Sequence, residues 1–178
     1  LIFLFAVLIR IPYLGHDSFN TDVWRWKTRT YNFSNGIFTG DLGLTLQKYH
    51  PGVTLMWLGS AGVKVYNFYY SATLGGEPAS DDLNTVFGLN AAQKYFVVLA
   101  ISFAIACSFY VLRRLFGLKF AVVSVMFLLL EPFYAALARE YHLEGLMSTF
   151  MVSAVLLAFY WFKEKSASKW IFALSAFF

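Results

Sequence analysis

From Tyr95 to Leu112 the chain reads YFVVLAISFAIACSFYVL, with no charge between Lys94 and Arg113. A helix of about 20 apolar residues matches the hydrocarbon thickness of a bilayer, and it satisfies its backbone polar groups internally. Two more runs share this character. Lys119 to Arg139 is interrupted by Glu131-Pro132, and Gly145 to Phe162 lies between Glu144 and Lys163. Leu1 to Ile9 and the run from Trp170 to Phe178 are half-length pieces, so the chain is expected to be cut within its first and last spans. A cleaved signal peptide would need small residues soon after the first run, and Arg10-Ile11-Pro12-Tyr13-Leu14 has none.

Composition agrees with lipid as the main solvent. Of 178 residues 59% are hydrophobic and 13% charged, against about half and about a quarter in soluble domains. The mean hydropathy of +0.60 points the same way. These values exclude an ordinary soluble enzyme and a disordered chain. The lone Cys107 excludes an intrachain disulfide and a thiolate metal cluster. The net charge of +4 comes from basic residues around apolar runs rather than from a basic stripe, which argues against nucleic acid.

One stretch decides the topology. Gly52 to Tyr70 is long enough to span, but Ser60, Lys64 and Asn67 share one helical face, a pattern suited to a helix lying in the interface with that stripe toward water. If it lies flat, Arg113, Arg114 and Lys119 fall on the same side as Lys163, Lys165 and Lys169. That asymmetry follows the positive-inside rule. The expected fold is therefore all-α and integral to the membrane: a polytopic helical bundle in one transmembrane domain. Residues 1–14 are the truncated first span, residues 15–92 a long external loop carrying amphipathic interfacial helices, and residues 93–178 further spans. Within the loop, TDVWRWKTRTYNF reads as a short helix ended by Asn35-Gly36, and Gly75-Gly76-Glu77-Pro78 as an exposed connection.

Ionisable residues gather on the external side. The long loop offers Asp17, Asp22, Lys48 and His50, and the short turn offers Arg139, Glu140, His142 and Glu144. Each has a structural reading beside a chemical one. Asp22 caps a helix or acts as a base; Asp17 is a turn residue or a ligand contact; His50 before Pro51 is structural or binds substrate. Arg139 and Glu144 pair and cap, or contact substrate. Glu131 accepts the backbone groups freed by Pro132. His142 with Glu144 is too small a set to define a metal site, and the sequence shows no cofactor requirement.

The order of features resembles the N-terminal part of GT-C type glycosyltransferases that use lipid-linked sugars. It is most similar to the branch of protein O-mannosyltransferases and lipid A aminoarabinose transferases, glycosyltransferase family 39-like. The matching features are Asp22, WRWKTRTYNF, Gly40-Asp41, Tyr49-His50-Pro51-Gly52, Arg113-Arg114-Leu115-Phe116-Gly117 and Arg139-Glu140-Tyr141-His142-Leu143-Glu144. Val23 stands where many relatives carry a second acid, His50 where lysine is common, and Glu144 where aspartate is usual. The resemblance implies a GT-C-like bundle in the cell membrane with its site on the extracytoplasmic side. It implies a polyprenyl-phosphate sugar donor and a protein, lipid or glycan acceptor. Asp22 would be the base, and Asp17, Lys48, His50, Arg139, His142 and Glu144 would contact substrates. The competing classes are a transporter or channel subunit, which would show inverted repeats, and a non-catalytic membrane scaffold.

The topology is testable in a variant with Cys107 replaced by alanine. A cysteine at Ser166 is expected to react with an impermeant maleimide only from the cytoplasm, and one at Gly76 only from outside. A cysteine at Gly40 is expected to label from the same side as one at Gly76, and labelling of these two from opposite sides would mean that Gly52–Tyr70 crosses the bilayer.

Overall fold

The computed structural model describes residues 1–16, 21–47, 52–79, 82–164 and 168–178, and every regular element among them is helical. In chain order these are α1 (Ile2–Leu8), α2 (Thr21–Thr39), a short 3₁₀ turn (Leu42–Thr45), α3 (Val53–Thr73), α4 (Leu83–Phe116), α5 (Leu118–Leu130), α6 (Pro132–Leu137), α7 (Leu143–Lys163) and α8 (Lys169–Phe177). Among the described residues, α4 and α7 are long and apolar enough to cross a membrane. Two compact units divide the chain: Ile11–Val98 with Arg139–Leu143, and Leu1–Arg10 with Leu99–Ala138 and Glu144–Phe178.

In the first of these units, α3 packs against α2. It buries Leu55, Met56, Gly59, Ser60, Gly62 and Val63, a stripe at helical spacing. The expected water-facing stripe is corrected here. Ser60 lies inside, 1% exposed. Asn67 is half-buried. Lys64 stays exposed with its ammonium 4.1 Å above the Phe38 ring. What α3 turns outward is largely apolar: Val53, Trp57, Val65, Phe68 and Tyr69. A serine is small enough to pack against a neighbouring helix, so polarity alone misassigned the face.

The expected turn at Asn35-Gly36 is also corrected, because α2 runs on to Thr39. A Cβ on Gly36 would lie 2.8 Å from the Asp41 carbonyl oxygen. This glycine therefore admits the returning chain rather than bending its own helix. The reversal occurs at Gly40, whose φ of +81° suits glycine. Asp41 then caps the 3₁₀ turn, its carboxylate accepting from the Gly43 N–H at 3.2 Å.

Helix α4 begins well before the apolar run. Asp82 accepts from the backbone N–H and hydroxyl of Thr85 at 3.0 and 3.1 Å, a side-chain cap of the kind that starts helices. The Gly75–Pro78 connection ahead of it is non-helical, as expected.

In the second unit, the run from Lys119 to Arg139, expected as a span, is corrected to two helices of 13 and 6 residues, each shorter than the about 20 that a span needs. Residue 131 is extended (φ −68°, ψ 116°), as the residue before proline tends to be. The Glu131 carboxylate accepts from the Phe133 N–H at 3.1 Å and from the Tyr134 N–H, capping α6. The carboxylate thus does what the sequence assigned to it. Small polar side chains join α4 to α7: Ser108 and Ser153 hydroxyls meet at 2.9 Å, and Ser153 also reaches the Ala104 carbonyl. Such pairs let helices approach closely where hydrophobicity gives no preference between protein and lipid. Val111, Leu157 and Tyr160 form the apolar cluster beside them. Arg10 is fully buried, donating to the Ala6 carbonyl at 2.9 Å, with its guanidinium 5.7 Å from the Tyr134 ring centre.

In the first of the two units, α3 comes close to α4 at Gly62, where an added Cβ would lie 2.7 Å from the Ala92 carbonyl oxygen and the Gln93 Cα. Backbone cannot swing aside as a side chain can. Gly62→Ala should lower stability by about 1–3 kcal/mol, the usual cost of overpacking, read as a lower unfolding temperature in detergent. An unchanged transition would mean that α3 and α4 do not touch there.

Candidate functional site

The segment Arg139–Leu143 follows α6, and the chain-contact grouping places it with Ile11–Val98. Its central residue, Tyr141, is fully buried. The phenol donates to the Leu55 carbonyl of α3 at 3.1 Å and shares a 2.6 Å hydrogen bond with the Thr30 hydroxyl of α2. Burial pushes the Tyr141 hydroxyl above its ordinary pKa, and the Thr30 bond partly opposes this. The group therefore stays a neutral donor at any ordinary pH.

Charged side chains surround this anchor. The Lys27 ammonium donates to the Gln93 side-chain oxygen at 2.9 Å and lies 5.9 Å from the Tyr141 ring centre. Lys94, next along α4, is fully buried and faces the Glu140 carboxylate at 3.8 Å. Arg139 donates to the Pro12 carbonyl at 2.6 Å. Asn90 donates to the Gly15 carbonyl at 2.7 Å, and His16 stacks on Phe87 at 4.9 Å. The early loop and the later turn are thus both tied to α4, one through Asn90 and Phe87 and the other through Lys94.

Asp22 lies in the first turn of α2, with its side chain more than half exposed and paired to Arg25 at 3.1 Å. A carboxylate so placed is open to solvent and suits the positive end of the helix. Arg139 and His142 lie half-buried on the turn. Glu144 is exposed in the first turn of α7, in the other unit, where its carbonyl accepts from the Ser148 hydroxyl at 2.7 Å. Asp17, Lys48 and His50 lie outside the described residues. Asp22 and Arg139 therefore belong to one compact unit, each with its own partner.

Tyr141, Thr30, Lys27, Gln93 and Lys94 are the polar residues to which the motif reading gave no role, whereas Glu140 was among the ionisable residues it named. Lys94 carried a signal in the sequence. It is a charge directly abutting an apolar run, and such residues face partners or cavities. Tyr141 carried none, since a tyrosine in a polar turn looks like a surface residue.

Among the described residues, no three His, Cys, Asp or Glu side chains form a group able to hold a metal ion. No family model, curated protein or solved structure matches the chain.

The Lys94–Glu140 pair makes a direct prediction. Removing one member of a buried pair leaves an uncompensated charge in low dielectric. Glu140→Gln should destabilise the protein by about 1–3 kcal/mol, the lower range reflecting the partial exposure of Glu140. The double variant Lys94→Met, Glu140→Gln should recover most of that loss in thermal unfolding.

Proposed function

We propose that this chain acts in an integral-membrane glycosyltransferase that uses a polyprenyl-phosphate-linked sugar on the extracytoplasmic side of the membrane. The reaction is displacement at the anomeric carbon. An acceptor oxygen forms the new bond to that carbon while the carbon–oxygen bond to the lipid phosphate breaks, and the electron pair leaves on the phosphate. Asp22 takes the acceptor's proton. Arg139, Lys48 and His50 contact the acceptor or the departing phosphate, whose growing charge calls for cations.

The observation that carries this reading is the grouping of residues 139–143 with residues 11–98 in one unit. A base on α2 and a cation on a turn some 117 positions later in the chain (22 to 139) are then parts of one body. Catalysis by positioned groups needs such a common frame. The order of motifs supports the same reading, from Asp22 through Gly40-Asp41 to Arg139 and Glu144. In this proposal α4 and α7 are two spans of a multi-pass bundle, and the basic residues Arg113 and Arg114 that end α4 are cytoplasmic.

The test is Asp22→Asn in the intact protein, assayed with a panel of polyprenyl-phosphate hexose and pentose donors. A general base contributes roughly 10²–10⁴-fold, and turnover should fall by that factor. Asparagine keeps the shape of the side chain and gives up only first-turn charge interactions, worth about 0.3–1 kcal/mol, so folded yield should hold. Asp17→Asn should cost far less. Normal turnover by Asp22→Asn would remove it as the base, and solute flux without sugar transfer by the wild type would favour a carrier.

A further inference from the structure

The turn that carries Arg139, Glu140 and His142 also inserts a side chain in the opposite sense, into the α2–α3 pair. Tyr141 enters a socket shaped for it. A Cβ on Gly59 would lie 1.7 Å from the Tyr141 hydroxyl oxygen and 2.7 Å from the Thr30 methyl. Thr30 is itself fully buried and is β-branched, which stiffens its side chain. Two helices thus supply a glycine gap, a hydroxyl and a carbonyl for one phenol. A phenylalanine would fill the same apolar space. What the hydroxyl adds is direction, because two bonds from different helices define where the ring's end must lie.

We propose that Tyr141 is a positioning residue: seated in the Gly59 socket, it sets the turn so that Arg139 is held where the lipid phosphate leaves. This rests on the glycosyltransferase reading above. Arg139 is two residues from Tyr141 and is tied to the Pro12 carbonyl, so a slip of the turn displaces its guanidinium. In the displacement, the phosphodiester monoanion of the donor becomes a monoester as the carbon–oxygen bond breaks, and its negative charge grows. A cation placed for that charge stabilises the transition state more than the bound donor. Misplacing it therefore lowers kcat and leaves KM for the donor nearly unchanged.

The test compares wild type with Tyr141→Phe and Thr30→Val in the intact protein, by hydrogen exchange and by steady-state transfer from polyprenyl-phosphate sugars. Tyr141→Phe loses both hydrogen bonds of the phenol and should raise exchange in residues 139–143 roughly five- to a hundredfold, and Thr30→Val, which loses one, roughly three- to tenfold. Small misplacement should lower kcat about ten- to a hundredfold per folded molecule, with donor KM close to wild type and a modestly lower unfolding temperature. Thr30→Val should show the same split with a smaller change. Unaltered exchange in the turn with Tyr141→Phe overturns the anchoring. Altered exchange with unaltered kcat per folded molecule overturns the positioning role and leaves the transferase reading standing on Asp22. A wild-type protein that transfers no sugar overturns the transferase reading, and the positioning role with it.

Discussion

The phenol of Tyr141 is the contact on which the arrangement of the Ile11–Val98 unit turns. A buried hydroxyl left unbonded costs more than the bond itself is worth. Here it is satisfied only while α2 presents Thr30 and α3 presents the Leu55 carbonyl at one place. That condition couples three choices made far apart in the chain. Position 59 must be glycine, α2 and α3 must pack in one register, and the turn after α6 must approach from the side that lets the ring enter. Position and polarity are specified together, as in other buried networks whose members are all satisfied.

The charges around that anchor follow the same economy of placement. Lys94 is fully buried on α4 just before the helix becomes uniformly apolar, and Glu140 on the turn answers it. Lys27 finds the Gln93 amide, one position earlier on the same helix. The first part of α4 thus buries polar side chains against protein, while its later part is apolar enough to cross a membrane. One continuous helix changes character along its length, and the change falls near the boundary between the two compact units.

Several elements were legible because their causes are local. The apolar run of α4 predicts a helix wherever it is placed. Proline at 132 must break the helix, and the carboxylate at 131 is the nearest acceptor for the amides that the break exposes. Gly75-Gly76 ends α3 for equally local reasons. The misread places are those where a distant segment supplies the reason. Asn35-Gly36 has the composition of a turn, yet Gly36 is glycine because the chain beyond Gly40 returns against it. Ser60 has the polarity of a surface residue, yet it is small enough to lie inside. Among the candidate site residues, Asp22 at the start of a helix could be read from Thr21-Asp22, whereas its exposure and its Arg25 partner could not.

By itself, then, the sequence determined the helical class, the two long apolar helices, the break at Glu131-Pro132 and the polar identity of the segments around Asp22 and Arg139. These follow from hydrophobic period, run length and backbone chemistry, which act over a few residues. Only the tertiary structure decided that the turn at 139–143 belongs with the early loop, that Tyr141 is its anchor, and that Lys94 faces Glu140. Those outcomes depend on side chains from different helices satisfying one another in a shared low-dielectric interior, and no local pattern encodes which distant partner will be there.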